Sequence, residues 1–145
     1  MKYLLTFLLN AISLSIFCQN SPAGIWKTVD DQSGKEKSYV EIYMKNDSYF
    51  AKVVKLLPGA TTQICNDCPG DKKGKNLVGL DIMWNMSKYK NYWSNGQIVD
   101  PKNGKVYSCS MWLKSPEELE VRGYFGISLL GRTQSWYREI GRAHV

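Results

Sequence analysis

The sequence has almost no histidine, and this absence removes several kinds of catalytic and metal-binding site. His144, one residue from the end of the 145-residue chain, is the single one. Without an imidazole in the body of the chain, Ser–His and Cys–His nucleophile pairs and histidine-ligated metal centres cannot form there. A complete structural zinc site needs four ligands, and three thiols, Cys65, Cys68 and Cys109, follow the N-terminal segment. We identify no catalytic residue and expect no cofactor and no metal.

The chain also lacks internal repeats and, beyond its first residues, any convincing helical periodicity. Its one long apolar run, residues 3–17, follows Lys2. A cationic residue before a short apolar run is the pattern of a secretory signal peptide, and the run is too short for a membrane span. We expect cleavage after Cys18, which exports a mature chain without an integral membrane span to the periplasm or the extracellular space. Lipidation of Cys18 is the alternative, although Phe17 is bulkier than the small residue that lipoprotein signals need there.

The C-terminus is expected to be foreign to the domain. Residues 140–145 are what one reading frame of a widely used sequencing adapter encodes, and the adapter bases just upstream fit the codon of Glu139. We therefore treat residues 139–145, which include His144, as a non-native tail and exclude them from the fold, as one excludes a fusion scar. A genuine polar tail is the alternative.

About 120 residues remain between positions 19 and 138, which suits one domain with one core. Removing Lys2, Arg142 and Glu139 with the two end segments changes the formal net charge only from +6 to +5. The lysines are scattered, and there is no basic helix or aromatic-basic RNA motif. The positive charge is therefore typical of a solvated surface, and we expect no nucleic-acid partner.

Eight segments have the composition and alternation of short β-strands, with turn-forming residues between most of them. Residues 100–104, Asp-Pro-Lys-Asn-Gly, are the strongest turn, and Gly96 interrupts one strand and marks a bulge. Closing an antiparallel meander removes its exposed edges. We therefore predict an all-β fold, a single small antiparallel up-and-down barrel able to hold packed side chains or one small ligand. The predicted strands are residues 24–29, 39–45, 49–56, 78–84, 92–99, 105–113, 118–124 and 131–138.

The longest segment without strand-like alternation, residues 64–80, holds the one close pair of cysteines, Cys65 and Cys68. In an oxidising compartment this pair favours a structural disulfide. A bridge from the loop to Cys109 is the alternative, and the sequence leaves both open. A redox dithiol expects a helix N-terminus beside the thiols, whereas a Pro-Gly pair follows here, so thiol redox chemistry is the least favoured function.

Two groups of polar residues are candidates for binding a small molecule. In the long loop, backbone amides and lysines between glycines can hold a phosphate or carboxylate; a solvated, turn-rich loop is the alternative. Near the ends of the last two strands, two arginines can lie at a barrel mouth and bind an anion; structural hydrogen bonds are the alternative. The candidates are Asp71, Lys73 and Lys75 in the loop, and Arg122, Tyr124 and Arg132 near the strand ends.

With the strands placed, two resemblances emerge. Gly24 and Trp26 on the first strand, with a late arginine at Arg138 or Arg132, resemble the Gly-x-Trp and late-Arg pair of the lipocalin superfamily. In that superfamily the tryptophan plugs one end of the barrel and the arginine stacks on it, a cation–π contact. The resemblance implies a lipocalin-like barrel.

The second resemblance covers nearly the whole domain, from about Ala23 to Arg138. It is to the bacterial exported family called domain of unknown function 2147, and it implies a secreted lipocalin-like domain without an established reaction. Asn76 stands where the family pattern has a proline. The matching segments are residues 24–26, 30–31, 34–35, 65–71, 73–75, 100–105, 107–109, 122–126 and 131–136, and the signature residues include Asp100, Gly104, Gly123 and Trp136.

These observations favour a binding module: an exported barrel that holds a small apolar or amphipathic molecule, with the long loop near one mouth. The warrant is an analogy of folds. The alternative is a structural or interaction protein of the cell envelope whose barrel is filled by its own aromatic side chains. The sequence does not indicate the oligomeric state.

Overall fold

Eight strands close into an antiparallel barrel within residues 20–140, the part of the chain that the computed structural model describes. The predicted signal peptide with its cleavage after Cys18 lies outside the described residues, as do residues 141–145 of the predicted tail. Two short strands form a separate ladder, and residues 70–72 and 128–130 are single 3₁₀ turns. The strands are β1 (Gly24–Val29), β2 (Glu36–Lys45), β3 (Ser48–Leu56), β4 (Ile64–Cys65), β5 (Lys75–Asn76), β6 (Asp81–Tyr89), β7 (Tyr92–Val99), β8 (Val106–Ser115), β9 (Glu118–Tyr124) and β10 (Gly131–Arg138).

The order of strands around the barrel is β1, β10, β9, β8, β7, β6, β3 and β2, and β2 pairs with β1 to complete the ring. Apart from the excursion through β4 and β5, each strand lies beside its neighbour in sequence. This closed meander leaves none of the eight strands with an unpaired edge, and the predicted all-β up-and-down barrel is confirmed.

The alternating direction of the strands gives the barrel two different ends. The connections β1–β2, β3–β6, β7–β8 and β9–β10 lie at one end, which we call the open end. The tight turns β2–β3, β6–β7 and β8–β9 lie at the other, which we call the closed end. The β3–β6 connection, residues 57–80, which contains the long loop at residues 64–80, therefore belongs to the open end.

Arg138 and Trp26 seal the closed end. The guanidinium carbon of Arg138 lies 4.3 Å from the centre of the Trp26 ring, and the indole Nε1 donates to the carbonyl of Pro22 at 2.8 Å. The guanidinium also donates to the carbonyls of Pro116, Ala23 and Ser21 at 2.8, 2.7 and 2.9 Å. One side chain thereby ties the N-terminal segment, the β8–β9 turn and the end of β10 together.

The half of the barrel nearest the closed end is filled with large side chains. They come from β1, β6, β7 and β8 and are all buried, and they form a continuous core. They include Trp26, Met83, Met86, Trp93 and Met111.

The bulge predicted at Gly96 is present. The register between β7 and β8 shifts between Trp93 and Gly96, and a Cβ atom on Gly96 would overlap the Met86 sulfur and the Trp84 carbonyl. The glycine therefore lets β6 and β7 approach closely.

The strand predicted at residues 78–84 lies further along the chain, at Asp81–Tyr89. Residues 77–80 belong to the loop instead: the Gly79 amide donates to the Val53 carbonyl at 2.7 Å, and the Leu77 amide to the Gln63 carbonyl at 2.9 Å. The polar residues of the second half of β6, which resemble a turn in the sequence, are mostly exposed, while Met86 between them is buried.

The long loop is folded rather than loose. β4 pairs with β5, and Cys65 and Cys68 form a disulfide and are both buried. Cys109 is free and buried in the barrel core. Gly104 of the β7–β8 turn, at φ 73°, lies so close to Asp67 that a Cβ atom would overlap its carbonyl. The loop is thus packed against the neighbouring turn.

Candidate ligand-binding site

The open half of the barrel contains a cavity of about 610 Å³. Strand ends line its walls, and all four connections of the open end contribute to its mouth. Although Trp136 also lines the cavity, several inward positions around it carry Thr28, Ser38, Val53, Val121 and Gly123, which are smaller than the tryptophans and methionines of the closed half.

The inner wall of the cavity is mostly apolar. Its lining includes Val53, Leu77, Ile82, Val121 and Trp136, which are all buried. Gly123 adds bare backbone to this wall, where Tyr107 and Ile98 are its nearest neighbours. These apolar side chains make no hydrogen bonds to water. A hydrocarbon segment of a ligand could therefore displace water from this wall without breaking any hydrogen bond to them.

Two buried hydroxyl groups interrupt the apolar wall. Thr28 on β1 and Ser38 on β2 face each other, and their hydroxyl oxygens are 2.8 Å apart. The Thr28 hydroxyl can also donate to the Ser38 carbonyl at 3.4 Å. Trp136 on β10 stands opposite Thr28 in the β1–β10 ladder. Its indole N–H has no hydrogen-bond acceptor among the described residues.

At the rim, the acidic side chains are held by groups of the protein itself. Asp30 accepts from the Ser33 hydroxyl at 2.7 Å and from the Ser33 amide at 2.8 Å. These hydrogen bonds hold the pKa of Asp30 below its usual value. Asp100 accepts from the Lys102 amide at 2.9 Å.

Arg132 lies at the mouth but is paired with Asp31. Its Nε donates to Asp31 Oδ2 at 3.0 Å, and its Nη2 donates to Asp31 Oδ1. This contact lowers the pKa of the Asp31 carboxyl and raises that of Arg132. The positive charge of Arg132 is therefore largely compensated.

Lysines supply the uncompensated charge at the mouth. Lys35, Lys37 and Lys102 line it, and Lys37 is near enough to Asp30 to help lower its pKa. Within residues 20–140, neither Lys35 nor Lys102 takes part in an ion pair. The rim therefore offers lysines, next to Asp30 and Asp100, above an apolar interior.

Arg122 and Tyr124, predicted at a mouth, do not line the cavity. They alternate along β9 with Val121 and Gly123, which do, so they lie on the outer face. There the Arg122 guanidinium donates to the Thr133 hydroxyl at 2.8 Å. Only Arg132 of the three predicted strand-end residues belongs to the cavity.

The loop residues predicted to bind an anion lie elsewhere. Asp71 and Lys75 line a separate, shallow depression on the outside of the barrel, and Lys73 is exposed and outside both cavities. At the edge of that depression, Asp81 accepts from the Tyr43 hydroxyl at 2.6 Å. Burial and this contact raise the pKa of Tyr43 to about 12.

Sequence reasoning missed Thr28, Ser38 and Gln134 of the cavity wall. A signal was present: Thr28 and Gln134 stand within predicted strands and Ser38 directly before one, each two residues from a buried apolar residue. Polar residues on an inward face are costly in a filled core and indicate a solvated interior.

No three metal-ligating side chains of the described residues come together, and no helix between residues 20 and 140 is long and apolar enough to cross a membrane. Both residues of the disulfide, Cys65 and Cys68, are buried.

Comparison with known proteins agrees with this architecture. Residues 24–138 match the family described as uncharacterised protein conserved in bacteria, DUF2147. Among solved structures, protein HP1028 from the human pathogen Helicobacter pylori, described as belonging to the lipocalin family, is similar with a TM-score of 0.71 and 20% identity. The similarity covers 82% of this chain and 83% of that one, and at this identity it shows the fold. No curated protein matches the chain.

Proposed function

The chain belongs to the bacterial DUF2147 family, and on that premise we propose that it is an exported binding protein that holds one small amphipathic molecule in its barrel cavity. The observation that carries the proposal is the cavity itself. Its volume of about 610 Å³ falls within the range of roughly 300–1,000 Å³ that small-molecule sites occupy.

The distribution of polarity defines the ligand. An apolar portion would lie against Val53, Ile82 and Val121, and a polar or acidic head would reach the rim near Lys35 and Lys102. The bound head would gain charge-assisted hydrogen bonds that the apolar wall cannot offer. A wholly apolar molecule would fill the same space but would leave these lysines without a partner.

The filled-barrel alternative has one observation in its favour, the packed core of the closed half. The filled-barrel alternative does not explain the cavity in the open half, because a barrel filled by its own aromatic side chains would have no cavity there. Thiol redox chemistry has less support, since the residues of the disulfide are buried and exchange requires access to a sulfur atom.

A titration with cis-parinaric acid, a fluorescent fatty acid, and with its uncharged methyl ester tests the proposal. We expect saturable binding of one molecule per chain, and weaker binding of the ester. In Gly123→Leu the new side chain would project from the wall, with its Cβ 3.4 Å from Tyr107 Cβ and 3.5 Å from Ile98 Cγ2. This space is tight but open, so we expect a folded protein that binds the acid at least about tenfold more weakly.

Tyr124→Leu is the matched control, because it adds the same side chain one residue away on the outer face. It should bind like the wild type. If the wild type does not bind either probe, or if Tyr124→Leu loses binding while Gly123→Leu keeps it, the cavity is not the site.

A further inference from the structure

The β9–β10 connection exposes an unusual amount of apolar surface. Phe125, Ile127, Leu129 and Leu130 are 52, 59, 84 and 72% exposed. We call residues 125–130 the apolar loop. Contiguous exposed apolar residues of this size on one short segment commonly mark an interaction site.

The apolar loop is held at the mouth of the cavity. Leu130 lines the mouth, as does Tyr107, and the ring of Phe125 lies 4.4 Å from that of Tyr107. The Leu130 amide donates to the Ile127 carbonyl at 3.1 Å, which closes a single 3₁₀ turn. The exposed side chains are therefore presented on an ordered projection and not on a random tail.

The two neighbouring connections place exposed lysines, together with aspartates, beside the apolar loop. Because β9 and β10 lie between β8 and β1 in the barrel, the flanking segments are the β7–β8 and β1–β2 turns. Lys102, Lys105 and Lys35 are exposed there. The nearby carboxylates of Asp30 and Asp100 accept hydrogen bonds within their own turns.

We propose that the open end docks on an anionic phospholipid bilayer, with the apolar loop in the interface and the flanking lysines on the headgroups. Exposed apolar side chains with lysines beside them are a combination that binds the boundary between headgroups and acyl chains. The cavity mouth would then face the membrane. An amphipathic molecule could pass between bilayer and barrel without crossing water.

A lipid surface fits better than the other occupants. Two copies meeting through their apolar loops would bring the flanking lysines of both together, and like charges repel. A stable protein–protein interface needs roughly 1,000 Å² or more, which a six-residue projection does not supply by itself. The proposal rests on the loop and its charges, so it can fail while ligand binding by the cavity stands.

Flotation of the exported protein, purified from the periplasm, with lipid vesicles tests the docking. We expect binding to phosphatidylcholine vesicles that contain phosphatidylglycerol, weaker binding to phosphatidylcholine alone, and weakening by salt. Ile127→Ser combined with Leu129→Ser should weaken binding at least about tenfold, since each removes an inserted apolar side chain. Lys102→Glu should weaken binding at least about fivefold on the anionic vesicles.

The matched control is Met44→Ser combined with Tyr89→Ser. These two residues are similarly exposed, at 56 and 50%, but lie near the closed end. The control should bind like the wild type, and thermal melts should show all variants folded.

Three results would overturn the proposal: no binding to either vesicle, equal loss in the control, or binding that ignores phosphatidylglycerol and salt. Sedimentation velocity adds a fourth. If the protein is a dimer that the Ile127→Ser and Leu129→Ser changes dissolve, the apolar loop is covered by a second copy instead.

Discussion

Arg138 is expected to be the largest single side-chain contribution to the closed end, and its removal is a direct test of how the barrel is held shut. Arg138→Met keeps an unbranched apolar side chain over Trp26 but removes the guanidinium. It abolishes three hydrogen bonds to carbonyl oxygens and the cation–π contact.

The magnitude follows from the exposure of these groups. The three carbonyls are near solvent, so water can replace each lost donor, and each bond contributes about 1 kcal/mol or less. A cation–π contact of this kind adds about 1 kcal/mol. Burial lowers the pKa of Arg138, which means that partial removal of the charged guanidinium from water is unfavourable. This unfavourable contribution offsets part of the gain from the contacts. We expect a net loss of about 2–3 kcal/mol.

Urea unfolding, followed by tryptophan fluorescence, measures this loss. For a domain of this size the same change lowers Tm by about 10 °C. Arg138→Lys is the matched control: it keeps the positive charge but cannot reach three carbonyls at once, so its loss should be about half. If Arg138→Met lies within about 0.5 kcal/mol of the wild type, the guanidinium does not hold the closed end together.

Three further predictions concern the loop, the core and the rim. Gly104→Ala should destabilise by about 2 kcal/mol or more in urea unfolding, because positive φ and overlap with Asp67 act together; a neutral result would mean that the loop does not pack on this turn. Cys109, whose pKa burial raises to about 12, should not react with a thiol reagent at pH 8 in the native protein. Unfolding without reductant should make it the one reactive thiol within residues 20–140. Asp31→Asn should reduce the loss of stability on acidification. The folded-state pKa of Asp31 is lowered, so the stability that its carboxylate contributes is fully present above pH 3.8. It disappears as the pH falls through the folded-state pKa. Since its partner Arg132 is half exposed, the effect should stay below about 1 kcal/mol, and an unchanged pH profile would mean that this pair does not form in solution.

The sequence predicted the strands well wherever inward and outward residues alternate without interruption. β1, β7, β9 and β10 begin and end at the predicted residues. The predicted strand stopped at Trp84 because Asn85, at φ 59°, Ser87 and Lys88 are polar, and the residues from Lys88 onward resemble a turn. The pairing of β6 with β3 and β7 fixes these polar residues on the outer face. Because the partners are separate strands, the sequence of β6 alone does not reveal this pairing.

The candidate site was harder to predict because distant segments build it. Arg132 and Asp31 are 101 residues apart in the chain, and closure of β10 on β1 brings them together. The sequence analysis identified Arg132 as a candidate residue of the mouth, but it did not identify Asp31 as its ion-pair partner. Arg122 and Tyr124 illustrate the opposite error, since nearness in sequence suggested a shared mouth that the alternation of β9 separates.

The central claim is that the open half of the barrel holds a small molecule. Native mass spectrometry of the protein purified from cells that express it, before and after extraction with organic solvent, tests it most directly. The account predicts an added mass of one small amphipathic compound that extraction removes and that Gly123→Leu fails to retain. A clean ligand-free mass, together with no uptake of cis-parinaric acid by the extracted protein, would contradict it.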